Sequence, residues 1–260
     1  MHPTLKEMEK DTRKPYWSFS QKIRHKIALP ITKALLYTPI TANQVTLFWI
    51  FLGALAAVIT MKGTFISLLL GTSLFNFSFI FDAVDGQIAR YKKRVSFTGY
   101  YLDKLGHLVG TPLFFGGVGI GVSHLRGENI YLFMGILIGV IHLFIEGINF
   151  NGFWTWNDTN KYPSKGIEAL KISSAEFRVY HYSKKNRITL VFLELCKRSQ
   201  FFNVLFFAAI FNLMHAALIF YLFLFATKFF YQLIQRVQIL RNIDKQMEFD
   251  RQMHQEVMKR

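Results

Sequence analysis

Residues 64–90 read TFISLLLGTSLFNFSFIFDAVDGQIAR. The run from Thr64 to Phe81 carries no charge, and an α-helix needs about 20 predominantly apolar residues to cross the hydrocarbon core of a bilayer. Asp82 and Asp85 then follow with no glycine or proline break between them and the apolar run. Carboxylates are costly inside a membrane span and are usually functional where they occur. The stretch therefore sets the fold class, an all-α integral membrane protein, and marks one end of a span as the place where chemistry resides.

Working outward from this span, apolar segments are expected at about Ala42–Met61, Thr64–Ala89, Gly99–Ser123 and Ile130–Phe150. A polar stretch, 151–198, separates them from a long apolar run, Ser199–Leu233. That run is too long for one ordinary span and just long enough for two, so a turn is placed near Asn212–His215. Six transmembrane helices around a cytoplasm-facing polar cavity result. The domain plan is a basic N-terminal segment, 1–41, a transmembrane catalytic domain, 42–233, and a polar helical tail, 234–260. Within the first segment, Ser20–Tyr37 alternates Lys22, Arg24, Lys26 and Lys33 with apolar residues, the pattern of an amphipathic helix lying on a membrane surface. Tyr16 and Trp17 precede it. Met1–Lys14 is polar and has no apolar core, so it does not read as a cleavable signal peptide.

Composition agrees with this reading. Of 260 residues 52% are hydrophobic and 17% aromatic, with 28 Phe, and the mean hydropathy is +0.24. The net charge of +15 could suggest nucleic acid in a soluble protein. Here the bases lie between apolar runs, which points to membrane orientation and anionic lipid, with no nucleic acid. The leader, the Arg90–Arg94 turn, the 151–198 loop and the tail are rich in Lys and Arg, whereas the alternate connections carry Lys62, Arg126 and none. Cytoplasmic loops hold the basic excess. Both termini are thus expected inside, in what is read as a bacterial inner (plasma) membrane protein. The single cysteine, Cys196, allows no internal disulfide.

The chemistry-bearing residues lie at the end of the second span and the start of the third. Asp82 and Asp85 are three apart and share a helix face with Ala89. Gly99, Asp103 and His107 fall at four-residue intervals and share another. Two facing helices would bring three carboxylates and an imidazole together, a set of hard oxygen donors suited to Mg2+ or Mn2+ and to phosphoryl chemistry.

These residues resemble the signature of the CDP-alcohol phosphotransferase (CDP-alcohol phosphatidyltransferase) family, Asp-x2-Asp-Gly-x2-Ala-Arg-x8-Gly-x3-Asp-x3-Asp. Asp82, Asp85, Gly86, Ala89, Arg90, Gly99 and Asp103 match with the spacing intact. At background frequencies of roughly 5% each, seven fixed residues coincide by chance about 10⁻⁹ of the time at any start point. Residues 39–46, Pro-Ile-Thr-Ala-Asn-Gln-Val-Thr, resemble the family's approach to its first span. The resemblance implies six helices around a cavity open to the cytoplasm. It also implies transfer of a substituted phosphate from a CDP-linked alcohol donor to a hydroxyl acceptor with release of CMP. In that scheme Asp82, Asp85 and Asp103 hold Mg2+ or Mn2+. Asp82, Gly86, Ala89, Arg90 and Gly99 bind the CDP moiety, with Arg90 paired to the diphosphate. A homodimer is expected.

One position departs. The last Asp of the signature is His107 here, where the family's residue is assigned as general base and metal ligand. A neutral imidazole can perform either task while removing one negative charge. The alternative is a catalytically silent member that binds CDP-alcohol and metal without turnover, as a membrane binding or scaffold protein. A transporter fits less well, because the acidic residues lie at one end of the spans rather than at the midplane.

Other features are weighed against plainer roles. His142, Glu146 and Asn149 form a stripe that can line the cavity or make interhelical contacts. Gly117-x3-Gly121 and Gly135-x3-Gly139 can form a dimer seam or pack inside the bundle. Gly152–Trp156 reads as an interfacial anchor, and Lys184–Arg187 as a solvated or lipid-facing patch.

Overall fold

The computed structural model describes residues 5–12, 19–93, 96–157 and 198–258. Tyr16, Trp17, Arg94, Lys184–Arg187 and Cys196 lie outside these residues, as do the side chains of Asn149 and Gly152–Trp156. All regular elements among the described residues are helices: α1 (Leu5–Thr12), α2 (Phe19–Leu36), α3 (Ala42–Thr60), α4 (Phe65–Tyr91), α5 (Phe97–Arg126), α6 (Ile130–Asn157), α7 (Arg198–Ile210) and α8 (Met214–Met258).

The boundaries follow from local chemistry. Thr41 caps α3: its hydroxyl accepts from the Gln44 amide while the Gln44 side chain accepts from the Thr41 N–H, a reciprocal capping box. Thr64 and Ser67 open α4 in the same way, and Ser96 caps α5. Gly127, at φ 72°, ends α5 in the left-handed conformation that glycine adopts without steric cost. Between α7 and α8 the same task falls to Asn212, at φ 55°. Asparagine is among the few side chains that visit this region, so the long apolar run breaks where neither glycine nor proline marks it.

Among the described residues, five helices are long and apolar enough to cross a membrane: α3, α4, α5, Ile130–Gly147 of α6 and Met214–Gln235 of α8. The described part of α7 has 13 residues and falls short of that length. Large apolar side chains are exposed along these helices, among them Phe51 and Val58 on α3, Ile66 and Leu70 on α4 and Phe223 on α8. A soluble monomer rarely exposes so much apolar surface; here it is the face turned to lipid. The chain is an all-α integral membrane protein.

The three tight turns at 61–64, 127–129 and 211–213 gather at one end of the bundle. There His124 Nδ1 lies 2.9 Å from the Met61 carbonyl and an Arg126 Nη lies 2.8 Å from His215 Nδ1. The acidic motif occupies the opposite end, with α1 and α2 packed against α4. The helix α8 starts at the turn end and continues past its apolar half through Met258, so its polar half leaves on the motif side.

Between membrane helices close packing replaces the hydrophobic effect as the source of association. A Cβ on Gly117 or Gly121 would meet the α3 backbone at Ala57 and Thr60, and one on Gly135 would meet Phe115 and Gly119 of α5. Gly139 faces Pro112 of α5. Both small-x3-small pairs are therefore used inside the bundle, and the expected homodimer draws no support from them. Aromatic packing fills the rest of the core: Phe75 stacks on Phe114 at 4.0 Å between centroids, and Phe115, Tyr221 and Phe225 meet edge to face.

Candidate active site

The two motif helices do not lie side by side along their length. The helix α3 packs extensively on both α4 and α5, whereas α4 and α5 touch little. Deeper in the bundle they meet through side chains, as where Phe75 stacks on Phe114, and they converge at the motif end, with α3 as the floor between them. Gly106 permits this, since a Cβ there would press on Trp49 and Ile50 of α3.

Asp82 of α4 and Asp103 and His107 of α5 meet at this point. His107 Nε2 lies 3.6 Å from Asp82 Oδ1 and 3.4 Å from Asp103 Oδ1, and one donor atom from each residue falls within 4.8 Å of the others. The imidazole is mostly buried, whereas both carboxylates are partly exposed. The His107 ring packs against Trp49 (centroids 5.0 Å apart) and Phe79 (6.2 Å, nearly parallel), and those two rings stack on each other at 6.5 Å. Its four-residue spacing from Asp103 brings both to the same face, as the sequence implied.

Asp85 is placed differently. It is buried and turned to α3, where Oδ2 accepts the Thr46 hydroxyl at 2.6 Å and the Trp49 Nε1–H at 3.0 Å. Neither donor occupies Oδ1. Asp82 and Asp103 are its charged neighbours. Neither Thr46, which closes the 39–46 stretch, nor Trp49 was singled out as a site residue. Their signal was available: a hydroxyl and an indole N–H one turn apart at the motif end of an apolar helix.

Two cations adjoin the carboxylates. Arg90 lies across Gly86, because a Cβ added there would sit 2.9 Å from one Nη and 3.2 Å from the other. Arg90 Nε donates to the Thr12 carbonyl at 2.9 Å. Asp85 and Asp82 are the charged neighbours of this guanidinium. The second cation, Arg24 of α2, was not singled out as a site residue. Its guanidinium carbon sits 5.3 Å over the Phe79 ring, and one Nη is 3.4 Å from Asn203 Oδ1. Burial pushes the Arg24 pKa down and the Asp82 charge pulls it back up; a guanidinium so placed stays charged. Gly99 stands where a Cβ would be 2.8 Å from Asn43 Oδ1, so this glycine serves the approach of α5 to α3. Ala89 completes the face of Asp82 and Asp85 and is partly buried. His142 is buried with its ring 5.7 Å from that of Phe225 in α8, an interhelical contact; Glu146 is one turn further on and partly buried.

A family model described as CDP-alcohol phosphatidyltransferase matches residues 39–193. The chain belongs to this family. The match begins at the turn that caps α3 and takes in the whole acidic site. Among curated proteins, a bifunctional IPC transferase and DIPP synthase of Archaeoglobus fulgidus is 36% identical over 86 residues. That stretch is 33% of this chain and 16% of the archaeal protein. Family membership accounts for the spacing of Asp82, Asp85, Gly86, Ala89, Arg90, Gly99 and Asp103. It does not account for His107.

Proposed function

We propose that the chain transfers a substituted phosphate from a CDP-linked alcohol to an acceptor hydroxyl and releases CMP, as in phospholipid or related phosphodiester synthesis. The observation that carries this reading is the convergence of Asp82, Asp103 and His107 from two helices, with Asp85 behind them and Arg90 over Gly86. Like-charged carboxylates brought this close repel one another, and hard oxygen donors beside an imidazole match Mg2+ or Mn2+. Asp82, Asp103 and His107 would hold the ion, with Asp85 adjoining. When bound, such an ion draws negative charge from the diphosphate and eases departure of CMP.

The protein's own groups divide the remaining work. The Arg90 fork is suited to bidentate pairing with phosphate oxygens. Thr46 and Trp49 hold Asp85 in one orientation. In the transfer, the acceptor oxygen forms a bond to phosphorus, the bond from phosphorus to the CMP oxygen breaks, and the acceptor's proton passes to a base. His107 Nε2 is placed for either of two tasks, metal ligand or base, and one lone pair serves only one of them at a time. The basic excess around the motif end supports a cytoplasmic location for that end and both termini, with α2 on the membrane surface, in the proposed six-span arrangement.

Incubating the purified protein with a panel of CDP-linked donors and acceptor alcohols, with CMP as readout, tests the reading. Release of CMP that depends on Mg2+ or Mn2+ and is lost in Asp82→Asn is the expected result. A second reading rests on His107 itself: an imidazole in place of the last carboxylate leaves a site that binds CDP-alcohol and metal without turnover. In that case only His107→Asp releases CMP. Should the parent, His107→Asp and His107→Ala all fail to bind CDP, with or without metal, both readings are wrong.

A further inference from the structure

A fully buried polar network joins the N-terminal helices to the motif. Gln87, between Gly86 and Arg90 in sequence, donates through Nε2 to His25 Nδ1 at 2.7 Å and to the His25 carbonyl at 2.8 Å. Its Oε1 accepts the Thr32 hydroxyl at 2.6 Å. His25 Nε2 lies 3.3 Å from Thr12 Oγ1, which donates to the Met8 carbonyl at 2.6 Å. The His25 carbonyl can only accept, so the Gln87 amide nitrogen must face it. Nδ1 then accepts as well, and the imidazole proton resides on Nε2, directed at Thr12. Thr12, Thr32 and Gln87 are all 0% exposed and His25 is 3% exposed.

An interface built only for stability would more simply be apolar, since buried polar groups must all be satisfied to break even. This one is satisfied throughout, and it ends on a functional group: the Thr12 carbonyl accepts from Arg90 Nε. With Nε fixed, the plane of the guanidinium is set and both Nη ends lie over Gly86. An untethered arginine surrenders rotamer freedom when it binds an oxyanion; a tethered one has surrendered it already.

We propose that α1 is a strap that positions Arg90 for a diphosphate, with His25 and Gln87 as its seat. Thr12, His25 and Gln87 are positioning residues, acting through Arg90. The inference rests on the reading above that Arg90 meets the diphosphate of CDP.

Met8 is buried in α1 and belongs to neither motif helix, and Met8→Asp would unseat the strap in the full-length chain by burying a charge. Binding of CDP, and separately of inorganic pyrophosphate, is measured in the presence of Mg2+ or Mn2+ for the parent, Met8→Asp, Arg90→Ala and the double variant. Freeing one long side chain should weaken both ligands about three- to tenfold in Met8→Asp. Affinity for the metal alone should not change. In the Arg90→Ala background Met8→Asp should have no further effect, because the strap then has nothing to position. Where the variants turn over, the loss should appear in KM for the donor and not in kcat. Thr12→Ala, which keeps the carbonyl and loses the link to His25, should give a smaller loss in the same direction. Equal losses in both backgrounds, an unchanged affinity in Met8→Asp, or tighter binding once α1 is unseated each overturn the strap. If the parent and Arg90→Ala bind CDP alike, the reading of Arg90 fails and the strap with it.

Discussion

The bond from Thr46 to Asp85 offers the cleanest perturbation of the site. Thr46→Val is nearly isosteric and removes one hydroxyl, whose oxygen lies 2.6 Å from Asp85 Oδ2 and 3.1 Å from the Ala42 carbonyl. The shorter contact to the carboxylate claims the single proton. Asp85 keeps one donor, Trp49 Nε1 at 3.0 Å. A hydrogen bond to a charged group contributes about 1.5–3 kcal/mol, and the loss approaches the upper figure when the acceptor stays buried. Reversible unfolding in mixed micelles with EDTA should therefore show Thr46→Val destabilised by about 1.5–3 kcal/mol, with Thr46→Ser near the parent. In an Asp85→Ala background Thr46→Val should cost little, giving a coupling of the same size in a double-mutant cycle. Metal-dependent CDP affinity should fall as well, because Asp85 loses its fixed orientation. A coupling below about 0.5 kcal/mol would show that the hydroxyl does not hold this carboxylate.

Gly121→Ala should destabilise the bundle by about 1–3 kcal/mol, since its Cβ would meet the Thr60 carbonyl and neither helix backbone can yield cheaply; unchanged thermal unfolding in detergent would refute this packing. Asp103→Asn should weaken Mn2+ binding, read by paramagnetic relaxation, at least tenfold, the low end for loss of a group that supports a metal site; parental affinity would remove Asp103 from the ligand set. A single cysteine at Glu128 should react with an impermeant reagent added outside intact cells and one at Lys33 should not; the reverse pattern would invert the proposed orientation.

Much of this architecture could be read from the sequence because membrane helices follow simple rules. Uncharged runs of span length, Thr41 and Thr64 before them and Gly127 after Arg126 place the helix ends within a few residues. The break at Asn212 was legible only through length, since asparagine in the left-handed conformation leaves a weak signal. The acidic face was legible because spacings of three and four on a helix fix a shared side. What spacing cannot convey is which helix stands behind that face. The insertion of α3 between α4 and α5 brings Thr46 and Trp49 to Asp85, and the docking of α1 and α2 brings Arg24 near Asp82 and the Thr12 carbonyl to Arg90. These are long-range contacts, decided by backbone approaches that glycines such as Gly106, Gly117 and Gly121 allow. The same limit left the role of the small-x3-small pairs open until their neighbours were known.

The exchange of a carboxylate for His107 acts on the charge of the whole site. Among the described residues, three carboxylates, Asp82, Asp85 and Asp103, stand against two guanidiniums, Arg24 and Arg90, which leaves one formal negative charge with a neutral imidazole at 107. An aspartate there would leave two. A divalent ion would be attracted by that charge and a diphosphate repelled by it, so on the proposed function an imidazole at 107 would shift the site away from metal and toward the nucleotide. Two charges about 4 Å apart interact by about 4 kcal/mol at an effective dielectric constant near 20, so the shift is large enough to measure. His107→Asp should bind Mn2+ more tightly than the parent and should bind CDP more weakly when EDTA is present. With saturating metal the two should converge in CDP affinity, because the added carboxylate is then neutralised. His107→Ala, uncharged like the imidazole but without its lone pair, separates ligation from charge. If it binds Mn2+ as the parent does, the imidazole is not a ligand and its lone pair is left for the proton of the acceptor. If it binds Mn2+ more weakly, the imidazole holds the metal and the proton must leave by another group. Identical metal and EDTA-state CDP affinities in the parent and His107→Asp would refute the charge argument, whichever role the imidazole has.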